Sequence, residues 1–127
     1  MKKLTRESGI VVSEDYKKML SILDHIYFST YDDCLGGLMS CWSIDIFSDG
    51  APADLGDYET WVKCEREKSD KDILEKTIHF LESFIAELEY YELQPTLDIV
   101  KSLTMDDVNK ILSASPPKNS PEKRFYY

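Results

Sequence analysis

The sequence predicts an all-α fold, a compact bundle of five or six helices over residues 1–114, followed by a flexible Pro-rich C-terminal tail over residues 115–127. Three observations carry that expectation. Apolar residues recur at three- and four-residue intervals along most of the chain. Ser, Thr or Asp precedes most of these runs, where a side-chain oxygen can cap a helix. The one alternating stretch, Trp42, Ile44 and Ile46 between Ser43 and Asp45, has no evident pairing partner. With 127 residues, 43% hydrophobic and 31% charged, the chain is an ordinary globular domain that can bury a core without a staple.

Taken in order, Ser13 is the expected cap of a helix reaching about Phe28. Tyr16, Met19, Leu20, Ile22, Leu23, Ile26 and Tyr27 fall on its inner side, and Lys17, Lys18, Ser21, Asp24 and His25 on its wet side. Leu35, Leu38, Met39 and Trp42 repeat at helical spacing and predict a second helix ending near Trp42 or Ile44. Gly36 and Gly37 within it need a reason, and close packing of another element is one. Asp49-Gly50, Pro52 and Gly56 enforce a loop. A short helix follows from Leu55 or Asp57, carrying Tyr58, Trp61 and Val62.

Ser69 and Asp72 stand at capping-box spacing before the clearest periodicity in the sequence. There Ile73, Leu74, Thr77, Ile78, Leu81, Phe84, Ile85 and Leu88 form one face of a central helix expected to reach about Tyr91. Pro95 lacks the N–H that a continuing helix requires, so it separates that helix from a short one carrying Leu97, Ile99 and Val100. Thr104, with Asp107 three residues on, caps a last helix through Val108, Ile111 and Leu112. Pro116, Pro117 and Pro121 mark the tail, which ends Arg124-Phe125-Tyr126-Tyr127.

Charge singles out one segment. The net charge is -9, and between Asp32 and Trp61 seven acids occur without a Lys or Arg: Asp32, Asp33, Asp45, Asp49, Asp54, Asp57 and Glu59. A second acidic group, Glu87, Glu89 and Glu92, lies beside Tyr90 and Tyr91. An isoelectric point near 4.6 disfavours nucleic acid and anionic membranes, both of which are met with Lys and Arg. It suits a basic protein partner. Cys34, Cys41 and Cys64 are an odd number without a CxxC pair, which favours reduced thiols and a cytoplasmic address, although spacing alone leaves a Cys34–Cys41 disulfide open. Met1-Lys2-Lys3 is followed by polar residues where a signal peptide needs an apolar run.

Chemistry is hard to assemble from these residues. His25 and His79 project from polar helix faces, and neither has a second ligand at a spacing that shares its face. Asp45, Asp49 and Gly50 match three positions of a calcium loop, but Phe47 and Gly56 stand where further ligands are needed. No phosphate-binding glycine motif is present. No cofactor, no metal and no enzymatic activity are therefore expected.

The segments Leu35-Gly36-Gly37-Leu38-Met39 and Asp49-Gly50-Ala51-Pro52-Ala53-Asp54, with Trp61, resemble a pattern of small bacterial toxin and immunity loci. In size and acidity the chain resembles the immunity proteins of contact-dependent growth inhibition systems. The resemblance covers roughly residues 31 to 62. It implies a cytosolic protein that binds and blocks the toxin domain of a cognate effector, often a nuclease. On the residue reading, Asp32, Asp33, Asp45, Asp49, Asp54, Asp57 and Glu59 are expected to pair with partner Lys and Arg, with Tyr58 and either Phe47 or Trp42 as anchors. The alternatives are a helical adaptor domain and, less directly, an enzyme using clustered carboxylates with a metal.

Overall fold

The Ser13 hydroxyl accepts the Tyr16 N–H at 3.1 Å and starts helix α1, Glu14–Thr30. In the computed structural model, which describes residues 10–45 and 50–114, five further α-helices follow. They are α2 (Asp33–Trp42), α3 (Leu55–Glu67), α4 (Ile73–Leu88), α5 (Gln94–Ser102) and α6 (Met105–Ala114), with a 3₁₀ turn at Tyr91–Leu93 before α5. There is no strand among the described residues, and the second helix stops at Trp42. Ile46, Phe47 and Asp49 lie outside the described residues, as does the tail. No described helix is long and apolar enough to cross a membrane.

α4 is the central element, packed by α1, α3 and α5, while α6 lies against α1. The core is aromatic where these helices meet. Trp61 stands edge-on to Tyr16 and Phe80, with centroids 5.8 and 5.5 Å away, and Trp42 stands edge-on to Phe80 and Phe84 at 5.1 and 5.3 Å. The Tyr16 hydroxyl donates to the Trp42 carbonyl at 2.6 Å, which satisfies a polar tip that burial would otherwise penalise. Two polar ties fasten α1 to its neighbours. Asp15 pairs with the Lys76 ammonium on α4 at 2.6 Å, and the Ser13 hydroxyl donates to Glu65 on α3 at 3.1 Å.

Several boundaries differ from expectation for local reasons. Ser69 is not the cap of α4: Asp72 accepts the Glu75 N–H at 2.9 Å, and 68–72 form the turn before it. Glu89, in the left-handed region at φ 52°, stops α4 at Leu88, so Leu88 is exposed and Tyr90 and Tyr91 are outside the helix. Pro95 sits within the first turn of α5, where a missing N–H breaks no intrahelical bond. Ser21 and Asp24 are buried rather than wet, because α1 is packed on by α2, α4 and α6 and little of its girth is left to solvent. His25 remains exposed. The reciprocal cap of α6 forms as expected, with Thr104 N–H to Asp107 at 2.9 Å and Asp107 N–H to Thr104 Oγ1 at 3.2 Å.

The two glycines of α2 have different roles. A Cβ on Gly36 would stand 2.8 Å from a ring carbon of Tyr27, whereas one on Gly37 would meet nothing within 4 Å. Gly37→Ala is expected to raise stability by about 0.5–1 kcal/mol through helix propensity alone. Gly36→Ala is expected to lower it, since displacing the Tyr27 ring costs about 1–3 kcal/mol and outweighs the propensity gain. Urea denaturation of the two variants checks the opposite signs.

Candidate functional site

Helix α2 organises the acidic segment. At its start, Asp32 caps the helix by accepting the Leu35 N–H at 3.0 Å, and Asp33 is exposed in the first turn, where the helix dipole favours anions. At its end the chain turns back on itself: Ala53 N–H donates to the Ser43 carbonyl at 3.0 Å and Asp54 N–H to the Cys41 carbonyl at 2.8 Å. Asp54 then caps α3 by accepting the Asp57 N–H at 3.0 Å. The acids thus form two groups at opposite ends of a ten-residue helix, about 15 Å apart at 1.5 Å per residue. Asp32 and Asp33 form one; Asp45, Asp54 and Asp57 form the other.

The flank of α2 between these groups carries Cys34 and Cys41, with Tyr90 and Glu92 beside it. Burial pushes the Cys34 thiol up; a hydrogen bond with Tyr90 opposes this, and the charges of Asp32 and Glu92 add to it. Burial, then Asp57 and Asp54, push Cys41 up. Both thiols therefore stay protonated at neutral pH and are poor nucleophiles. All three cysteines are free, so the Cys34–Cys41 disulfide does not form.

Ion pairs are distributed unevenly. Lys17 meets Glu14, Lys63 meets Glu87, Lys76 meets Asp15, His79 meets Glu67 and Lys101 meets Glu82. Among the described residues Asp32, Asp33, Asp54 and Asp57 form none. The Asp57 carboxylate is not free for a partner, however, since the Trp42 indole N–H donates to it at 3.0 Å. Burial raises its pKa above the ordinary 3.8, against that hydrogen bond, and the nearby Asp54 adds to the rise.

A raised carboxyl means that the folded protein holds this proton more tightly than the unfolded chain does. Its contribution to stability is therefore largest when protonated and declines as pH rises through the raised pKa. Asp57→Asn keeps an oxygen for the indole and removes the charge. We expect the variant to match the parent at about pH 3, with a gap in its favour opening toward about pH 7. Thermal melts of both proteins across that range read the difference and cancel the effects of other carboxylates.

The aromatic anchors need correction. Tyr58 is 6% exposed and stands edge-on to Tyr16 at 4.9 Å, with its hydroxyl engaged by the Ser13 backbone. Trp42 is fully buried. Both lie on the helix faces that build the core, so neither can anchor a partner. Among the described residues the most exposed aromatics are instead Tyr31, at 67%, and Tyr91, at 63%. Each directly precedes an acid, Asp32 or Glu92, and that adjacency was the available signal. Phe47 and Asp49 lie outside the described residues; Glu59 is half-buried on α3 and Asp45 is exposed.

A different constellation lies toward the C-terminal end of α3. The Cys64 sulfur, a Glu67 carboxylate oxygen and a His79 nitrogen lie within 4.8 Å of one another, the one such mixed group among the described residues. His79 Nε2 is 2.8 Å from Glu67 Oε1, and this hydrogen bond holds the Glu67 carboxyl below its ordinary value. The three residues come from two helices, so no single-helix spacing reveals them. Comparison with known proteins finds no family model, curated protein or solved structure that matches this chain.

Proposed function

We propose that the chain is an immunity protein that binds a basic toxin domain, most simply a ribonuclease, and masks the surface with which it would hold nucleic-acid phosphates. The observation that carries this reading is the segment from Asp32 to Trp61, which holds seven acids and no Lys or Arg. Asp32, Asp33 and Asp54, at the two ends of α2, have no internal cation among the described residues. Such acids can accept charge-assisted hydrogen bonds from Lys and Arg at little desolvation cost before binding. Tyr31 supplies exposed apolar area next to Asp32, and Tyr91 does so next to Glu92. No reacting group on this protein is needed for inhibition, and its place of action is the cytoplasm, where an incoming nuclease would meet its substrate.

The test separates contact from folding. Asp32 and Asp54 are helix caps and Asp57 holds an indole, so their loss would confuse the two. Asp33→Lys, Asp45→Lys and Asp49→Lys together are expected to abolish protection of cells against the toxin encoded beside the gene. They should also slow association by at least about tenfold, with helicity unchanged. Full protection by the triple variant would remove this reading. Tight binding of a partner other than a toxin would favour a helical adaptor instead.

A further inference from the structure

We propose that Cys64, Glu67 and His79 form a zinc-binding site that clamps α3 to α4. This is independent of the acidic face. Cys64 and Glu67 are one helical turn apart on α3, so their side chains share a face, and His79 reaches them from α4. The turn between the helices is closed by the Lys68 N–H to the Cys64 carbonyl and the Lys71 N–H to the Lys68 carbonyl, which fixes the approach of the two faces. The three donor atoms already lie within 4.8 Å of one another. Zinc bonds of roughly 2.0–2.3 Å in a tetrahedron place ligand atoms about 3.3–3.8 Å apart. Seating an ion therefore draws the widest pair together and parts His79 from Glu67, and both shifts are small. Glu67, whose side chain is half exposed, can make them.

The donor set selects the metal class. Thiolate, imidazole and carboxylate together suit a borderline-soft ion such as Zn²⁺, whereas Ca²⁺ and Mg²⁺ take oxygen ligands. Three protein ligands leave a fourth position, and the cleft lined by Lys68, Glu75, Ile78, His79 and Glu82 opens beside the imidazole to receive water or an exogenous ligand. The Cys64 thiol has an outer partner in the Ser83 hydroxyl, which can hold the sulfur in place. Nearby charge is mixed, with Glu75, Glu82 and Glu87 favouring a cation and Lys63 and Lys68 opposing it.

Titration of the full chain with Co²⁺, a spectroscopic stand-in for Zn²⁺, is the test. One equivalent is expected to give a thiolate-to-cobalt charge-transfer band with tetrahedral visible bands, both bleached by Zn²⁺. Cys64→Ser should remove the charge-transfer band, and a Cys34→Ser/Cys41→Ser double variant should keep it. His79→Gln, at a partly exposed position where folding is not at stake, should weaken Zn²⁺ affinity by at least about tenfold and abolish the Zn²⁺-dependent rise in Tm. Absence of the band in the parent, its survival in Cys64→Ser, or unchanged affinity in His79→Gln would overturn the proposal.

Discussion

Replacing Trp61 with alanine is expected to lower the unfolding free energy by about 3–5 kcal/mol, the range for removing a buried aromatic side chain. Trp61 is fully buried where α1, α3 and α4 meet, edge-on to both Tyr16 and Phe80. Its indole N–H donates to Glu65 at 3.1 Å, and the same carboxylate oxygen accepts from the Ser13 hydroxyl that caps α1. The substitution thus opens a cavity and loosens the polar tie between two helices. Because a domain of this size holds only about 5–15 kcal/mol in total, the variant should stand near its unfolding transition. Trp61→Phe retains the ring contacts and loses the indole bond, so a smaller loss of about 1–2 kcal/mol is expected. Urea denaturation followed by circular dichroism compares the two, and equal losses would mean that the cavity is not the dominant cost.

Breaking the Asp15–Lys76 pair from one side is expected to be nearly as damaging. The Lys76 side chain is 10% exposed and that of Asp15 is 27% exposed, so removing the carboxylate strands an ammonium that water reaches poorly. Asp15→Ala should cost about 2–3 kcal/mol, just below the range for fully buried pairs because Asp15 retains some hydration. Lys76→Met leaves the more accessible partner alone, in the first turn of α1 where a negative charge is favoured, and should cost about 1 kcal/mol. The double variant should recover most of the loss, because an apolar side chain suits that site better than a lone charge. A double-mutant cycle reads the coupling directly, and additive losses would show that the two side chains do not interact.

Features governed by a few adjacent residues were legible in the sequence. The Ser13 cap, the Thr104–Asp107 exchange and the apolar face of α4 depend on spacing within a turn or two, and the all-α bundle expected to have five or six helices has six among the described residues. The start of α4 was misplaced because two acceptors compete there. Ser69 and Asp72 satisfy the same three-residue rule, and only Asp72 is followed by Glu75 at the beginning of the buried face. Tyr58 shows a further limit. Periodicity assigns it to one side of α3, but a neighbourhood of acids made that side look wet, and its burial depends on Tyr16 arriving from α1. The cluster of Cys64, Glu67 and His79 was illegible for the same reason, since it exists only once α3 and α4 pack.

The doubled-back junction between α2 and α3 bears on how such a protein can change. The two backbone bonds that join Ser43 to Ala53 and Cys41 to Asp54 close the base of the intervening segment, so the helices are held together at that neck. The entropy of closing a flexible loop grows slowly with its length, each doubling costing only about 0.6 kcal/mol. Lengthening the chain between Ser43 and Ala53 while keeping the buried Ile44, Ala51 and Pro52 should therefore leave the bundle in register. The neck separates the register of the helices from the length of the chain that joins them.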